Sequence, residues 1–194
     1  MPNVRLPYEF SASLRTDRLV LRPMTDDDVD DIHAYQSRAD VCRYLPFEAR
    51  RRAEVAEKVA KYSRALALNG DGDFWQLAIE RAAEPGRAIG DLYFTIKSAA
   101  NATGEIGWTV HPEFAGHGYM TEAAGALLGI AFGTLGLHRV FAQLDPRNDA
   151  SIALCRRLGM RPEAHFVEDL WFKGAWGDTE IYAILDREWP RGPT

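Results

Sequence analysis

The sequence is poor in cysteine and has no long apolar run. Only Cys42 and Cys155 occur among its 194 residues, and without a C-x-x-C pair or a Cys/His cluster they indicate neither a disulfide scaffold nor a zinc site. No stretch approaches the roughly 20 apolar residues of a membrane helix, and the first residues lack signal-peptide organisation. Basic residues number 23 against 28 acidic ones, which excludes the basic excess of a general nucleic-acid binder. We therefore expect a cytoplasmic protein with neither a membrane nor a nucleic acid as partner.

What is present is the composition of an ordinary globular domain. Hydrophobic residues make up 46% and charged residues 26%, close to the average for soluble domains, and the length fits one domain. Alternating and helical apolar patterns predict an α+β fold with a mixed sheet and helices on both faces. The predicted strands cover 18–22, 74–80, 88–97, 105–110, 138–145, 164–172 and 178–186, and the predicted helices cover 26–36, 48–68, 118–135 and 149–158.

Three consecutive arginines stand in the first turn of the second predicted helix. Arg50, Arg51 and Arg52 have two interpretations, a solvated helix face or an anion-binding site. A charge run on a helix is usually a solvated face, so the sequence alone favours that interpretation.

The segment His111–Glu122 joins a predicted strand to a predicted helix. Gly116 and Gly118 stand just before the helix, and no proline follows Glu113 within the segment, so every backbone N–H there can donate. Consecutive N–H groups at a helix N-terminus bind anions, and glycine permits close approach. The segment lacks the third glycine of a dinucleotide fingerprint and the lysine of a Walker loop. It predicts a pyrophosphate site of another kind, against the alternative of an ordinary strand-to-helix turn.

Five stretches of the chain resemble the GNAT acetyltransferase superfamily, in its RimJ/RimL-like branch of ribosomal-protein N-terminal acetyltransferases. Residues 105–123 resemble motif A, and the others are 14–25, 135–140, 145–160 and 172–185. The resemblance implies one domain over 14–189, with tails at 1–13 and 190–194; the prolines at the start also allow an edge segment there. It implies an α/β/α sandwich-like fold whose mixed, mostly antiparallel sheet has about seven strands, with four helices.

The resemblance also implies acetyl-CoA as co-substrate, with no metal. The backbone amides of the glycine turn would hold the pyrophosphate, with Thr121 nearby; they belong to Ala115, Gly116, His117, Gly118 and Tyr119. Thr109 and Val110 would pair with the pantetheine amides, and Asn148 and Ser151 would lie beside the cofactor. Glu113 stands where the family often has Gln or Arg, and we expect it to face solvent.

Asn148, Ser151 and Cys155 fall on one face of the last predicted helix, because residues three and seven apart share a helix face. Many family members have a tyrosine at the position that Cys155 occupies here, and that tyrosine protonates the leaving thiolate. We favour Ser151 as the hydrogen-bond donor in its place. Cys155 remains open as an acid, as an acyl-cysteine relay or as a small buried apolar residue.

An amine must be neutral to attack the thioester, so a base is expected. Glu105, on the strand that leads to the glycine turn, matches a glutamate often present in the branch. Glu168 is the second candidate, and for both a surface salt bridge is the alternative. The amide near Val110 is expected to polarise the carbonyl.

The predicted function is transfer of an acetyl group from acetyl-CoA to a primary amine, by direct attack in a ternary complex. The acceptor would be a protein N-terminus or a small molecule, contacting residues 30–50 and the loop before the last strand. The alternative is a non-catalytic acyl-CoA sensor. The resemblance allows a homodimer without fixing an interface.

Overall fold

A mixed sheet of eight strands forms the centre of the fold in the computed structural model, which describes residues 4–10 and 13–190. Its strand order is β2-β3-β5-β6-β7-β8-β10-β9, while β1 and β4 form a separate pair. The strands are β1 (Tyr8–Glu9), β2 (Leu14–Arg15), β3 (Leu19–Pro23), β4 (Ala67–Leu68), β5 (Phe74–Arg81), β6 (Glu84–Ser98), β7 (Thr103–Val110), β8 (Arg139–Leu144), β9 (Arg161–Phe172) and β10 (Ala175–Leu185). Every neighbouring pair is antiparallel except β7 and β8, which confirms the mostly antiparallel sheet, with one strand more than expected.

Within residues 13–190, five α-helices cover the sheet, one more than predicted. They are α1 (Val29–Gln36), α2 (Ala39–Cys42), α3 (Arg52–Tyr62), α4 (Tyr119–Gly129) and α5 (Asp149–Arg157). The additional helix, α2, is a single turn, too short to leave a periodic pattern in the sequence. A π-helical turn, Ile130–Thr134, continues α4.

The helices pack on both faces of the sheet, as predicted. Successive side chains of a strand point to opposite faces, and β5 shows this directly. Leu77 and Ile79 join the apolar cluster that α4 and α5 cover. Ala78, between them, joins the smaller cluster with Ile32 of α1 and Val55 of α3.

The start of the chain and the end of the second predicted helix differ from expectation. The helix predicted over 48–68 ends at Tyr62, and Ala67–Leu68 pair instead with Tyr8–Glu9. Phe10 is only 4% exposed, so residues 4–10 form an edge segment packed on the core rather than a tail. Of the predicted tails, residues 1–3, 11–12 and 191–194 lie outside the described residues.

The sheet opens between its two parallel strands. β7 and β8 pair only where Thr103, Gly104 and Glu105 lie beside residues 139–141. Beyond Glu105 the strands diverge, so residues 106–110 have a strand partner on the β6 side alone. A wedge with exposed backbone hydrogen-bonding groups results. Among the described residues, no helix has the length and apolar character needed to cross a membrane.

Candidate active site

Two cavities meet at the wedge between β7 and β8. The turn cavity, of about 640 Å³, is lined by the glycine turn and by residues of α4 and α5. The aromatic cavity, of about 620 Å³, lies on the other side and takes its name from Tyr44, Phe47, Tyr62, Phe74, Tyr93 and Trp108 in its wall. Trp108 and Ser151 line both cavities, so the two cavities adjoin at these residues.

The glycine turn presents a run of free backbone donors. Gly116 and Gly118 have φ values of +79° and +78°, a left-handed conformation that glycine adopts without strain. Gly118 is the N-cap of α4, and within the described chain the N–H groups of residues 116–121 donate to no protein acceptor. The N–H of Ala115 is not among them, because it donates to Pro112 O at 3.1 Å. Binding of the cofactor by the Ala115 amide remains a prediction: the residue lines the turn cavity, and its N–H would have to leave or share this acceptor.

Two arginines add positive charge to the turn cavity. Arg18 donates to the carboxylate of Glu122 at 2.7 Å and to His117 O at 3.1 Å, which fixes the turn against the start of α4. Arg157 donates to Thr121 Oγ1 at 3.2 Å. Free amide donors at a helix N-terminus, with two cations beside them, fit a pyrophosphate. Sequence reasoning missed both arginines, because they come from segments far from the glycine turn.

Two side chains of the turn face away from the cavity. Glu113 is exposed and contacts Arg87, 3.5 Å away, as expected for a residue facing solvent. The ring of His117 is also exposed; its Nδ1 lies 2.9 Å from Ala115 O and the ring stacks on Tyr119. The His117 ring lines neither cavity.

Ser151 occupies the junction of the two cavities. Its Oγ accepts a hydrogen bond from Trp108 Nε1 at 3.1 Å, and the hydroxyl proton has no acceptor within the part of the chain that the structure describes. Asn148 is the N-cap of α5, where its Oδ1 accepts from Ser151 N at 3.1 Å. Asn148 lines the aromatic cavity but not the turn cavity, so capping is the role its contacts display.

The structure keeps Cys155 away from both cavities. The residue has no exposed surface and lines neither cavity, because this part of α5 faces the core. Burial raises the pKa of its thiol to about 12, which disfavours the thiolate that a relay would need. These observations support the interpretation of Cys155 as a small buried apolar residue over those of an acid or a relay.

The structure places the two candidate bases, Glu105 and Glu168, in different surroundings. Glu105 lines the aromatic cavity and pairs with Lys97 at 3.0 Å, with 17% of its side chain exposed. Glu168 is exposed on the β9–β10 hairpin and lines neither cavity. Glu168 as a base is therefore wrong. Further along β7, Thr109 lies in the aromatic cavity and Val110 in the turn cavity, as strand alternation requires.

A buried carboxylate, which the sequence analysis did not single out, lies at the base of the aromatic cavity. Asp91 is 2% exposed. Its Oδ2 accepts from Tyr35 Oη at 2.6 Å and from Gln36 Nε2 at 3.4 Å, and its Oδ1 accepts from Gln76. Desolvation raises the pKa of Asp91 to about 6, although the three hydrogen bonds to its carboxylate act in the opposite direction and lower it. An acidic residue within an apolar strand was the one available signal, because such residues are seldom buried without partners.

We expect Asp91→Asn to change how stability depends on pH. The pKa of Asp91 is raised in the folded state, so the native protein holds this proton more tightly than the unfolded chain. The contribution of Asp91 to the unfolding free energy is therefore largest at acid pH and is lost as pH rises from about 4 to about 6. Relative to the variant, the wild type should lose about 3 kcal/mol across that interval, at 1.4 kcal/mol per pKa unit. Urea unfolding at several pH values measures it.

The exposed Asp26 provides the matched control. Asp26→Asn should leave the curve parallel to that of the wild type between pH 4 and 7. A parallel curve for Asp91→Asn would contradict the raised pKa.

Comparisons with known proteins agree on one family. The acetyltransferase (GNAT) domain matches residues 18–161. The uncharacterized N-acetyltransferase YnaD of Bacillus subtilis is 31% identical over 176 residues, covering 91% of this chain and 98% of YnaD. A GNAT-family acetyltransferase from Bacillus anthracis superposes with a TM-score of 0.81 at 28% identity, over 91% of this chain and all of that one. The spermidine N-acetyltransferase of Vibrio cholerae, solved with CoA and spermine, has a TM-score of 0.75 at 21% identity and covers 90% of this chain and 99% of its own.

Proposed function

The chain belongs to the GNAT acetyltransferase family and is an acetyl-CoA-dependent N-acetyltransferase acting on amines; from that premise we propose how its two cavities divide the reaction. Acetyl-CoA enters through the turn cavity, and the amine acceptor enters through the aromatic cavity. The observation that carries this division is that Trp108 and Ser151 line both cavities. A thioester and an amine entering from opposite sides would meet there, as direct attack in a ternary complex requires.

The cofactor is held by main chain more than by side chains in this proposal. The free N–H groups of residues 116–121 bind the pyrophosphate, supported by Arg18 and Arg157. The unpaired stretch of β7 through Thr109 and Val110 binds the pantetheine amides as a strand would.

Proton transfer falls to two groups, one in the aromatic cavity and one where the cavities adjoin. Glu105 accepts the proton of the attacking ammonium, directly or through water, since it lines the aromatic cavity beside the expected acceptor. Ser151 donates a hydrogen bond to the sulfur that leaves, because its own proton is unused by the protein. The amide near Val110 polarises the thioester carbonyl.

The acceptor class is a protein N-terminus or a small-molecule amine, and the RimJ/RimL-like branch remains a proposal that rests on the sequence motifs. The aromatic cavity is lined by Gln36, by residues 44–47 and by Arg50, within the region expected to contact the acceptor. A cytoplasmic location agrees with two free, buried cysteines. We propose no interface for a homodimer.

Release of free thiol from acetyl-CoA, measured over a panel of amines and peptides, tests the function. Acetyl transfer to at least one acceptor class is the expected result. Tight binding of acetyl-CoA without transfer to any acceptor would instead favour a non-catalytic sensor.

We expect Glu105→Gln to lower kcat by about a hundredfold, because general base catalysis contributes at least that much. The affinity for CoA should stay unchanged, since Glu105 lines only the aromatic cavity. Initial rates at saturating substrates and a CoA titration separate the two effects.

Glu113→Gln is the matched control, a glutamate on the glycine turn that is exposed and outside both cavities. It should leave kcat unchanged. Unaltered turnover in Glu105→Gln would remove Glu105 as the base.

A further inference from the structure

Arg50 differs from the two arginines that follow it. Arg51 pairs with Glu54 at 2.9 Å and Arg52 with Asp30 at 2.6 Å, both on the surface. Arg50 lines the aromatic cavity, and within the described ranges it forms no ion pair. Of the two interpretations of the arginine run, the solvated face holds for Arg51 and Arg52, and Arg50 requires another.

Two neighbours hold the Arg50 guanidinium in one orientation. Nη1 donates to Gln36 Oε1 at 2.6 Å, and the guanidinium carbon lies 3.5 Å from the centre of the Phe47 ring. Gln36 is 5% exposed, and its Nε2 donates to the carboxylate of Asp91. An ionised carboxylate only accepts, so the Gln36 amide must present its oxygen to Arg50. Asp91 thus positions Arg50 through Gln36.

Gln36 uses only one of the Arg50 donors. Along the described chain, Nε and Nη2 form no hydrogen bond of good geometry, although the Tyr62 side chain lies within reach of the guanidinium. A planar guanidinium with free adjacent N–H groups matches the two oxygens of a carboxylate or a phosphate. Its stacking on Phe47 also restricts the rotamers that binding would otherwise have to order.

Carboxylates elsewhere in the cavity wall are already engaged. Glu105 pairs with Lys97, and Asp145 pairs with Arg147 at 2.6 Å. Asp91 is enclosed by three neutral donors. The cavity therefore offers a cationic group to a ligand more readily than an anionic one, which suits an acceptor carrying an anion better than a polyamine.

We propose that Arg50 binds an anionic group, a carboxylate or a phosphate, on the amine acceptor, and so sets acceptor specificity. The proposal rests on the acetyltransferase function above and narrows its acceptor to amines that carry an anion. The anion would anchor the acceptor at the wall built by the early helices and direct its amine toward Glu105 and Ser151.

Pairs of acceptors that differ only in the anion test the proposal. Comparison of leucine with isoamylamine tests for recognition of a carboxylate, and comparison of phosphoethanolamine with ethanolamine tests for recognition of a phosphate. Spermidine represents a polyamine. A charge-assisted hydrogen bond changes affinity by about tenfold to a hundredfold. In one of the two pairs, the wild type should have a kcat/KM that is higher by that factor for the anionic member. The difference should arise from a lower KM. Which of the two pairs shows the preference identifies the anion.

Arg50→Gln should bring the ratio of the preferred pair close to one, and Arg50→Lys, which keeps the charge without the fork, should leave an intermediate ratio. Arg51→Gln, one residue away and outside the cavity, should keep the wild-type ratio. Thermal unfolding and CoA titration establish that each variant is folded. A ratio unchanged in Arg50→Gln, or a wild-type preference for the neutral amines or spermidine, would overturn the proposal.

Isothermal titration of the same compounds into CoA-saturated protein provides a readout independent of turnover. Anion-selective binding that Arg50→Gln removes supports the proposal even if no thiol is released. In that case the protein binds these compounds through the anion site but does not acetylate them. Equal binding of both members of each pair overturns the anion site whatever the turnover.

Discussion

We expect Gly118→Val to abolish measurable binding of coenzyme A, which would be the largest effect of any single substitution in this chain. Gly118 caps α4 at φ +78°, a conformation in which a β-branched residue is strongly strained. Relief of that strain would turn the free N–H groups of residues 116–121 away from a common point. Each hydrogen bond to a charged group is worth about 1.5–3 kcal/mol, so losing two of them weakens binding by at least about a hundredfold. Isothermal titration with coenzyme A measures it.

The control must carry the same strain at a distance from the site. Gly72 has φ +86°, with open space around an added Cβ, and lines neither cavity. Gly72→Val should cost stability and leave coenzyme A binding intact. Gly118→Ala provides a milder variant if the valine prevents folding. Tight binding retained by a folded Gly118→Val would show that the pyrophosphate lies elsewhere.

Ser151→Ala is expected to lower kcat by about a hundredfold, the size of a general-acid contribution. The hydroxyl at the cavity junction accepts from Trp108 and keeps its own proton for another acceptor. Alanine removes that donor while the cap from Asn148 to the Ser151 backbone N–H remains, so the protein should stay folded. Initial rates with a thiol-release assay, together with acetyl-CoA titration, measure the loss.

Cys155→Ala is the matched substitution on the same helix. Because Cys155 is buried and its thiol has a pKa of about 12, we expect unchanged kcat and a loss of about 1 kcal/mol of stability from the smaller side chain. If the thiol of Cys155, rather than the hydroxyl of Ser151, protonates the leaving group, Cys155→Ala should lower kcat and Ser151→Ala should leave it unchanged. Equal turnover of Ser151→Ala and the wild type would remove Ser151 from the chemistry.

Local patterns made much of the fold predictable. The strand over 105–110 and the end of α5 just before Gly159 follow from neighbouring residues, and the structure has both. The end of α3 does not. Leu66 fits a helical stripe, but its carbonyl accepts from Phe10 N and from Trp75 Nε1. Pairing with a strand at the start of the chain overrides helical propensity, and nothing within the segment reports it.

The candidate site divides in the same way. The glycine turn and Glu105 are visible because each is defined by a short motif. Arg18, Gln36 and Asp91 are not, since their roles depend on partners dozens of residues away. The difference between the expected and the observed surroundings of Cys155 has a related cause. Helical spacing places a residue on a face, and only the packing of that face decides between cavity and core.

The divergence of β7 from β8 has a consequence for the whole chain. The sheet is joined across this line by a ladder of only three paired residues on each strand, so a cofactor bound as proposed would take the place of missing strand pairing. Gly90 keeps the neighbouring strand close, because an added Cβ would lie 2.5 Å from Thr109 O. Binding to the native state alone raises the unfolding free energy by mass action. The unfolding free energy of the enzyme should therefore rise with the concentration of acetyl-CoA.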